Sequence, residues 1–328
     1  MIAVDCNGAD GGPRLVAEGA RASAEQVLLF GPARELGGGS GVVDAPVRIA
    51  GDEEPVRGVR SKPEASIVQA AKAVAEGRAE ALVSAGSTGP TLAAATLSIK
   101  RLHGVHRPAL AAVLPVPAGP VVLLDVGANA EVRPEHLVQF AHMGAAFVEV
   151  LTGATRPTVG LLSVGAESGK GTPDVIAARA RLEDGPLNFV GSLEGFDIPG
   201  GAAQVVVTDG FTGNVALKVM EGTSKAFGAG MREAVRSGPV SSLGGVLIRG
   251  AVARFRDALD PEKVGGAILL GLRRPVVVAH GSFGATGIAN AVRLARQAVD
   301  ERMVERTAES LAAAGALRSA PAVSVDSR

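Results

Sequence analysis

Val205-Val206-Val207-Thr208-Asp209-Gly210-Phe211-Thr212-Gly213-Asn214 decides the fold. A β-branched run ends at an acid, two glycines and an asparagine follow, and Val215-Ala216-Leu217-Lys218-Val219-Met220 then sets a helical pattern. The order predicts a strand, a tight glycine loop and a helix N-terminus, where backbone N–H groups and the helix dipole favour an anion.

Similar apolar runs recur at Ile2–Val4, Val27–Phe30, Val47–Ile49, Ala81–Val83, Val121–Leu124, Val159–Val164, Leu187–Val190 and Val276–Ala279. Continuous rather than alternating apolar runs predict strands buried on both faces. Helical patterns lie between many of them, as at Ile67–Ala75, Leu137–Val148 and Ile176–Ala180. Strands alternating with helices predict a mainly parallel sheet covered by helices, an α/β fold. A long helix is expected over 288–314, ending at Gly315. One α/β domain over 1–315 is expected, followed by a flexible tail over 316–328.

Composition narrows the function. The 328 residues carry 33 basic and 33 acidic side chains, a balance that argues against a nucleic-acid partner. Tyr and Trp are absent, which removes most base-stacking surface. The 44 glycines are about twice the usual share, without a collagen period, so they serve turns and close backbone approaches. Cys6 is the only cysteine, and no basic segment with a long apolar stretch opens the chain, so a cytoplasmic location is expected.

Six strand ends carry small polar residues: Asp5 to Asp10, Ser84 to Gly89, Asp125 to Asn129, Val164 to Thr172, Asp209 to Asn214, and Ala279 to Gly284. In an open α/β sheet ligands sit outside the carboxyl ends of the strands, so these six are expected to line one crevice. Any one of these loops is explained by its turn alone; the set of six is not. Gly165 to Lys170 is one residue too short for a P-loop, and Gly171 replaces its Ser or Thr. There is no G-x-S-x-G and no H-E-x-x-H, and the other four histidines lack zinc-type spacing, so neither a hydrolase serine nor a metal is expected. His280 follows a strand directly, where an imidazole either donates to an oxyanion and shuttles a proton or packs as a core side chain. Lys170, between two glycines, is placed to meet an anion.

Leu247, Ile248, Ala251, Val252, Phe255, Ala258 and Leu259 fall on one helical face flanked by Arg249, Arg254 and Arg256. The stripe predicts that 236–263 forms an amphipathic helical protrusion, suited to an anionic membrane surface or to a dimer interface.

Together these loops resemble the bacterial phosphate acyltransferases, the acyl-ACP:phosphate acyltransferases of phospholipid synthesis. The resemblance is carried by Val83 to Gly89, Leu124 to Asn129, Pro134 to Leu137, Val159 to Leu162, Gly169 to Gly171, Leu193 to Gly195, Asp209 to Lys218 and Ala279 to Ser282. It implies a three-layer α/β/α Rossmann-like fold related to phosphotransacetylases and isocitrate-type dehydrogenases. It implies transfer of a long-chain acyl group from acyl carrier protein to inorganic phosphate. It implies a homodimer that associates peripherally with the membrane, where a glycerol-phosphate acyltransferase takes the product. No cofactor is required. The expected catalytic residues are Lys170, Asp209, Asn214 and His280. Substrate binding is expected at Ser84, Gly86, Ser87, Thr88, Gly89, Asp125, Asn129, Gly171, Glu194, Gly210, Thr212, Gly213 and Ser282, and membrane contact at Leu247, Ala251, Phe255 and Leu259. The chain departs from the family at Ser87, Ser163 and Ser192, where Asn is usual, and at Phe196, where Arg is usual. These departures motivate a second reading as an inactive membrane-docked scaffold; a third is a short-chain phosphotransacetylase using acyl-CoA. A nicotinamide dehydrogenase on a related fold is disfavoured by the missing G-x-G-x-x-G.

Overall fold

Side chains alternate across each strand, and the alternation builds two cores. Ile2 and Val4 of β1 (Ile2–Asp5) enter one, and Ala3 enters the other. Val205 and Val207 of β9 (Val205–Val207) share the first core, whereas Val206 joins the second. The sheet therefore has apolar residues on both faces and needs a helical layer on each.

The computed structural model describes residues 1–317; the expected tail beyond Leu317 lies outside the described residues. The remaining strands are β2 (Val27–Gly31), β3 (Val42–Asp44), β4 (Ala81–Ser84), β5 (Ala109–Val116), β6 (Gly119–Leu124), β7 (Thr158–Leu162), β8 (Asn188–Leu193), β10 (Ala267–Leu270) and β11 (Val276–Val278). They form one 11-stranded sheet in the order β3-β2-β1-β4-β11-β10-β5-β6-β9-β7-β8. Seven of the ten pairings are parallel. The antiparallel ones are β11–β10, β10–β5 and β5–β6. Three reversals leave β6, β9, β7 and β8 running opposite to β1, β2, β3, β4 and β11.

The first core is covered by α1 (Gly12–Ala22), α6 (Pro134–Thr152), α7 (Pro173–Glu183), α11 (Ala285–Asp300) and α12 (Met303–Ala313). The second is covered by α3 (Pro55–Ser61), α4 (Ser66–Ala75), α5 (Thr88–Ser98), α8 (Asp197–Gly200) and the first turns of α9 (Gly210–Arg236). This is a three-layer α/β/α arrangement. A short helix α2 (Ala33–Leu36) follows β2, and α10 (Pro239–Ala258) packs along α9 as a hairpin.

Three sequence expectations are corrected. Val47–Ile49 forms no strand: the Val47 carbonyl accepts from Ser66 N, and the Asn7 side chain donates to the Ala45 carbonyl, so these groups serve a loop anchor in place of a ladder. The helix over 288–314 is two helices, broken at Arg302, which takes a left-handed φ of 54°. The break lets α11 pack on α1 while Met303, Thr307 and Leu311 turn toward α6. Gly315, at φ 61°, closes α12, with Gly315 N donating to the Ala312 carbonyl and Ala316 N to the Leu311 carbonyl. Val164 lies beyond β7 and is 80% exposed.

Candidate active site

The six bends gather into three groups. In the first, the ends of β1, β4 and β11 touch. Gly8 takes φ 91°, and a Cβ there would lie 2.9 Å from the Gly86 Cα, so two loops meet backbone to backbone. Asp10 N donates to the Gly281 carbonyl at 2.9 Å. Ser84 Oγ donates to Asp5 Oδ2 at 2.8 Å and accepts from Gly86 N and Thr91 Oγ1. Ser87 is the N-cap of α5 but makes no side-chain cap. The N–H groups of Ser87, Thr88 and Gly89 have no partner among the described residues, and Ser87 and Thr88 are exposed. His280 belongs to this group. Its Nδ1 accepts from Ser282 N at 3.2 Å and lies 2.8 Å from Ser282 Oγ, which assigns the proton to Nε2 on an exposed ring.

Asp5 is wholly buried, and burial raises its pKa to about 6 against the hydrogen bonds from Ser66, Ser84 and Asn7. Between about pH 4 and 6 the folded chain then holds a proton that the unfolded chain releases, so this group's contribution falls as pH rises, by at most about 3 kcal/mol. The unfolding free energy of wild type minus that of Asp5→Asn, measured by urea across pH 4–7, will fall as pH rises through that window; a constant difference refutes the assignment.

The second group joins the ends of β6 and β9. The buried Asp125 Oδ1 accepts from the N–H groups of Leu110, Gly127 and Ala128 at 3.0, 3.2 and 2.9 Å. Its Oδ2 accepts from Asn129 N and Nδ2 at 2.7 and 2.8 Å. Burial pushes its pKa up, and the bonds from Ala128, Asn129 and Leu110 oppose that rise. Asn129 Nδ2 also donates to the Pro108 carbonyl at 2.7 Å. Asp125 and Asn129 thus spend their polar atoms on the loop itself. Asp209 caps α9, its Oδ1 accepting from Thr212 N at 2.8 Å. Gly210 N donates to the Asn129 carbonyl at 2.7 Å, and Gly213 N to the Asp209 carbonyl. The anion site expected at this turn is therefore corrected: only Phe211 N of the first turn stays without a partner among the described residues. Gly210 and Gly213 serve the approach of α9 to the Asp125 loop, where any Cβ would strike Asn129 or Asp125.

Beside this loop lies an open cavity of about 500 Å³, lined by Gly127, Ala130, Asn214 and Lys218 and walled by Phe211, Val215 and Val219. The spacing 211, 215, 219 and 214, 218 puts two stripes on one side of α9. That spacing was the available signal for Phe211, Val215, Val219 and Lys218, none of which stands among the expected site residues.

The third group holds Lys170, Gly171 and Glu194. Lys170 is exposed and forms no ion pair among the described residues. Arg179, also missed, ties this loop to β8: its Nη1 donates to the Ala166 carbonyl at 2.8 Å and to Ser192 Oγ at 3.0 Å. Glu194 N donates to Asp197 Oδ2 at 2.8 Å, closing the turn after β8.

The six bends do not share one carboxyl edge of the sheet: the strands of the first group run opposite to those of the other two, and among the described residues no hydrogen bond joins one group to another. The stripe of α10 is exposed, with Leu247 78% and Phe255 58% accessible and Ala251 exposed; Leu259 is half-buried just past the helix. No helix among the described residues is long and apolar enough to cross a membrane.

The architecture matches that of solved proteins of the same three-layer fold. A phosphotransacetylase from Streptococcus pyogenes superposes with a TM-score of 0.58 at 20% identity, covering 92% of this chain and 94% of that one. A branched-chain phosphotransacylase from Enterococcus faecalis gives 0.57 at 18%, covering 91% and 99%. The fold is thus that of the phosphotransacetylases. The chain belongs to the fatty acid synthesis protein family, whose model matches residues 1–306. Relatives named phosphate acyltransferase include those of Heliobacterium modesticaldum, 41% identical over 94% of this chain and 97% of the relative, and Elusimicrobium minutum, 42% over 95% and 96%.

Proposed function

We propose that this protein transfers a long-chain fatty acyl group from acyl carrier protein to inorganic phosphate, giving an acyl phosphate for phospholipid synthesis. One observation carries the reading: the α5 N-terminus offers unpartnered N–H groups at Ser87, Thr88 and Gly89, in a loop cluster that also holds His280 with Nε2 protonated. Helix N-termini of this kind suit phosphate.

Phosphate oxygen attacks the thioester carbonyl carbon, a C–O bond forms and the C–S bond breaks. His280 Nε2–H gives its proton to the departing thiolate, and Nε2 is then reprotonated by the proton that the new acyl phosphate releases. Holding the two reactants in line is worth up to about 7–11 kcal/mol, and one oxyanion donor about 3–4 kcal/mol. The apolar wall of Phe211, Val215 and Val219 suits the acyl chain. Sheet twist supports a meeting of the first two groups. At roughly 20–25° per strand, the four intervals from β4 to β6 accumulate about 80–100°. Opposed strands tilted in opposite senses bring both carboxyl edges toward one face, and α5 and α9 both pack on the same core. Lys170 is assigned to phosphate as a free cation of the third group, and Asp209 to orientation through its cap.

Purified protein given phosphate and either acyl carrier thioester or acyl-CoA is expected to make acyl phosphate from the carrier thioester. His280→Ala is expected to lower kcat by about 10²–10⁴, and Lys170→Ala to raise the phosphate KM. Preference for short acyl-CoA would select the phosphotransacetylase reading, and no product from either donor the scaffold reading.

The exposed apolar faces of α9 and α10 suit a homodimer whose hairpins rest on an anionic membrane surface, peripheral to the cytoplasm, where a glycerol-phosphate acyltransferase consumes the product. Phe255→Asp is expected to abolish flotation with phosphatidylglycerol liposomes; undiminished flotation removes the helix from this role.

A further inference from the structure

A cluster of cations that the proposed chemistry leaves unused gathers around His106 and His136. Arg107 precedes Pro108, whose carbonyl is held by Asn129, and Arg133 stands three residues after Ala130 of the cavity wall. Both arginines act electrostatically on His136, whose ring centroid is 5.6 Å from that of His106. Arg101 Nη1 donates to the His106 carbonyl, and Arg273 Nε donates to the Arg101 carbonyl at 3.2 Å. Arg101, Arg107, Arg133 and Arg273 are exposed, and none forms an ion pair among the described residues. The acidic groups nearby are Glu131 and Glu135.

The placement runs against local stability. Arg133 is the N-cap of α6 and His136 sits in its first turn, where the helix dipole disfavours positive charge. Burial and the neighbouring His106 push the His136 pKa down, as expected where cations crowd. A chain with no net charge thus concentrates four guanidinium groups without ion pairs among the described residues around His106 and His136. Such a patch steers and orients an acidic partner. A membrane would also need apolar groups to insert, but the large exposed apolar side chains of α9 and α10 lie on other elements, and residues 98–138 contribute none.

We propose that Arg101, Arg107, Arg133 and Arg273 form the docking surface for an acidic protein partner, the carrier that bears the thioester. The inference rests on the carrier-linked donor proposed above. The patch seats acidic side chains over the α6 N-terminus, leaving the thioester arm to enter beside Ala130.

The test is fluorescence anisotropy of labelled acyl carrier protein with wild type and Arg107→Glu/Arg133→Glu, at 50 and 200 mM salt. The double variant is expected to bind at least tenfold more weakly and to lose most of the salt dependence. Its phosphate KM and its turnover of acyl-CoA are expected to stay within twofold of wild type. Arg107→Ala/Arg133→Ala, with a smaller loss and an unchanged melting temperature, guards against misfolding. Unchanged carrier affinity in the charge-reversed protein overturns the surface alone. An equal loss with acyl-CoA overturns it too, because the effect would lie in the cavity. Loss of binding to phosphatidylglycerol vesicles with carrier affinity intact assigns the patch to lipid instead. A wild type that binds no carrier removes both this surface and the carrier-linked donor, whereas acyl phosphate made only from acyl-CoA removes the donor.

Discussion

Gly213→Ala is expected to cost about 3 kcal/mol of stability and to lower acyl phosphate formation about 100-fold, although alanine is the better helix former. The reason is local. A Cβ at 213 would collide with the backbone carbonyl of Asp125 and stand 2.9 Å from Thr208 Cγ2. A carbonyl fixed between β6 and its loop has no room to retreat, so the start of α9 must shift, carrying Phe211, Asn214, Val215 and Lys218 away from the cavity. Gly222 in the same helix provides the control, because a Cβ there meets nothing. Gly222→Ala is expected to gain about 0.5–1 kcal/mol with activity unchanged. Urea unfolding and initial rates on both variants separate packing from propensity; equal effects at 213 and 222 would sink the argument.

Asp125→Asn is expected to be as damaging, at about 3–5 kcal/mol, from a substitution that preserves shape. Three N–H groups point at one carboxylate oxygen and two at the other. Whichever way an amide is turned, its NH₂ faces two or three donors, and each buried donor left unsatisfied costs about 1–3 kcal/mol. The loop from Gly127 to Ala130 forms one wall of the cavity, so activity is expected to fall with stability. A drop in the urea midpoint of Asp125→Asn under a tenth of a molar would mean that these bonds do not hold the loop.

Both variants expose a limit of reading loops from sequence. Asp125, Asn129, Gly210 and Gly213 are legible as special, since no ordinary βα connection needs them. Their purpose is not legible. Glycines taken as an anion cradle serve backbone contact, and an acid and an amide taken as substrate ligands hold the turn. Asp209 caps α9, whereas Ser87 makes no side-chain cap and leaves the first N–H groups of α5 free. Whether a side chain folds back on its own backbone depends on rotamers that sequence spacing does not fix.

The strands tell a similar story. Valine-rich runs such as Val205–Val207 and Val276–Val278 announce themselves through β-branching. β5 and β10, read Ala-Leu-Ala-Ala-Val-Leu-Pro-Val and Ala-Ile-Leu-Leu, carry few β-branched residues, so their periodicity does not distinguish strand from helix. Those two strands make the antiparallel pairings that reverse the sheet, and their absence from the sequence reading is why one carboxyl edge was expected.

The sequence by itself determined the layered α/β architecture, the position of most strands and the set of unusual bends, because each rests on short-range periodicity and backbone preference. Only the tertiary structure decided which bends touch, which polar groups remain free to meet a ligand, and that arginines without ion pairs among the described residues crowd around His106 and His136. Those outcomes depend on strand direction and on hydrogen bonds between residues far apart in the chain, such as Ser84 with Asp5 and Asn129 with Pro108, and no local pattern encodes them.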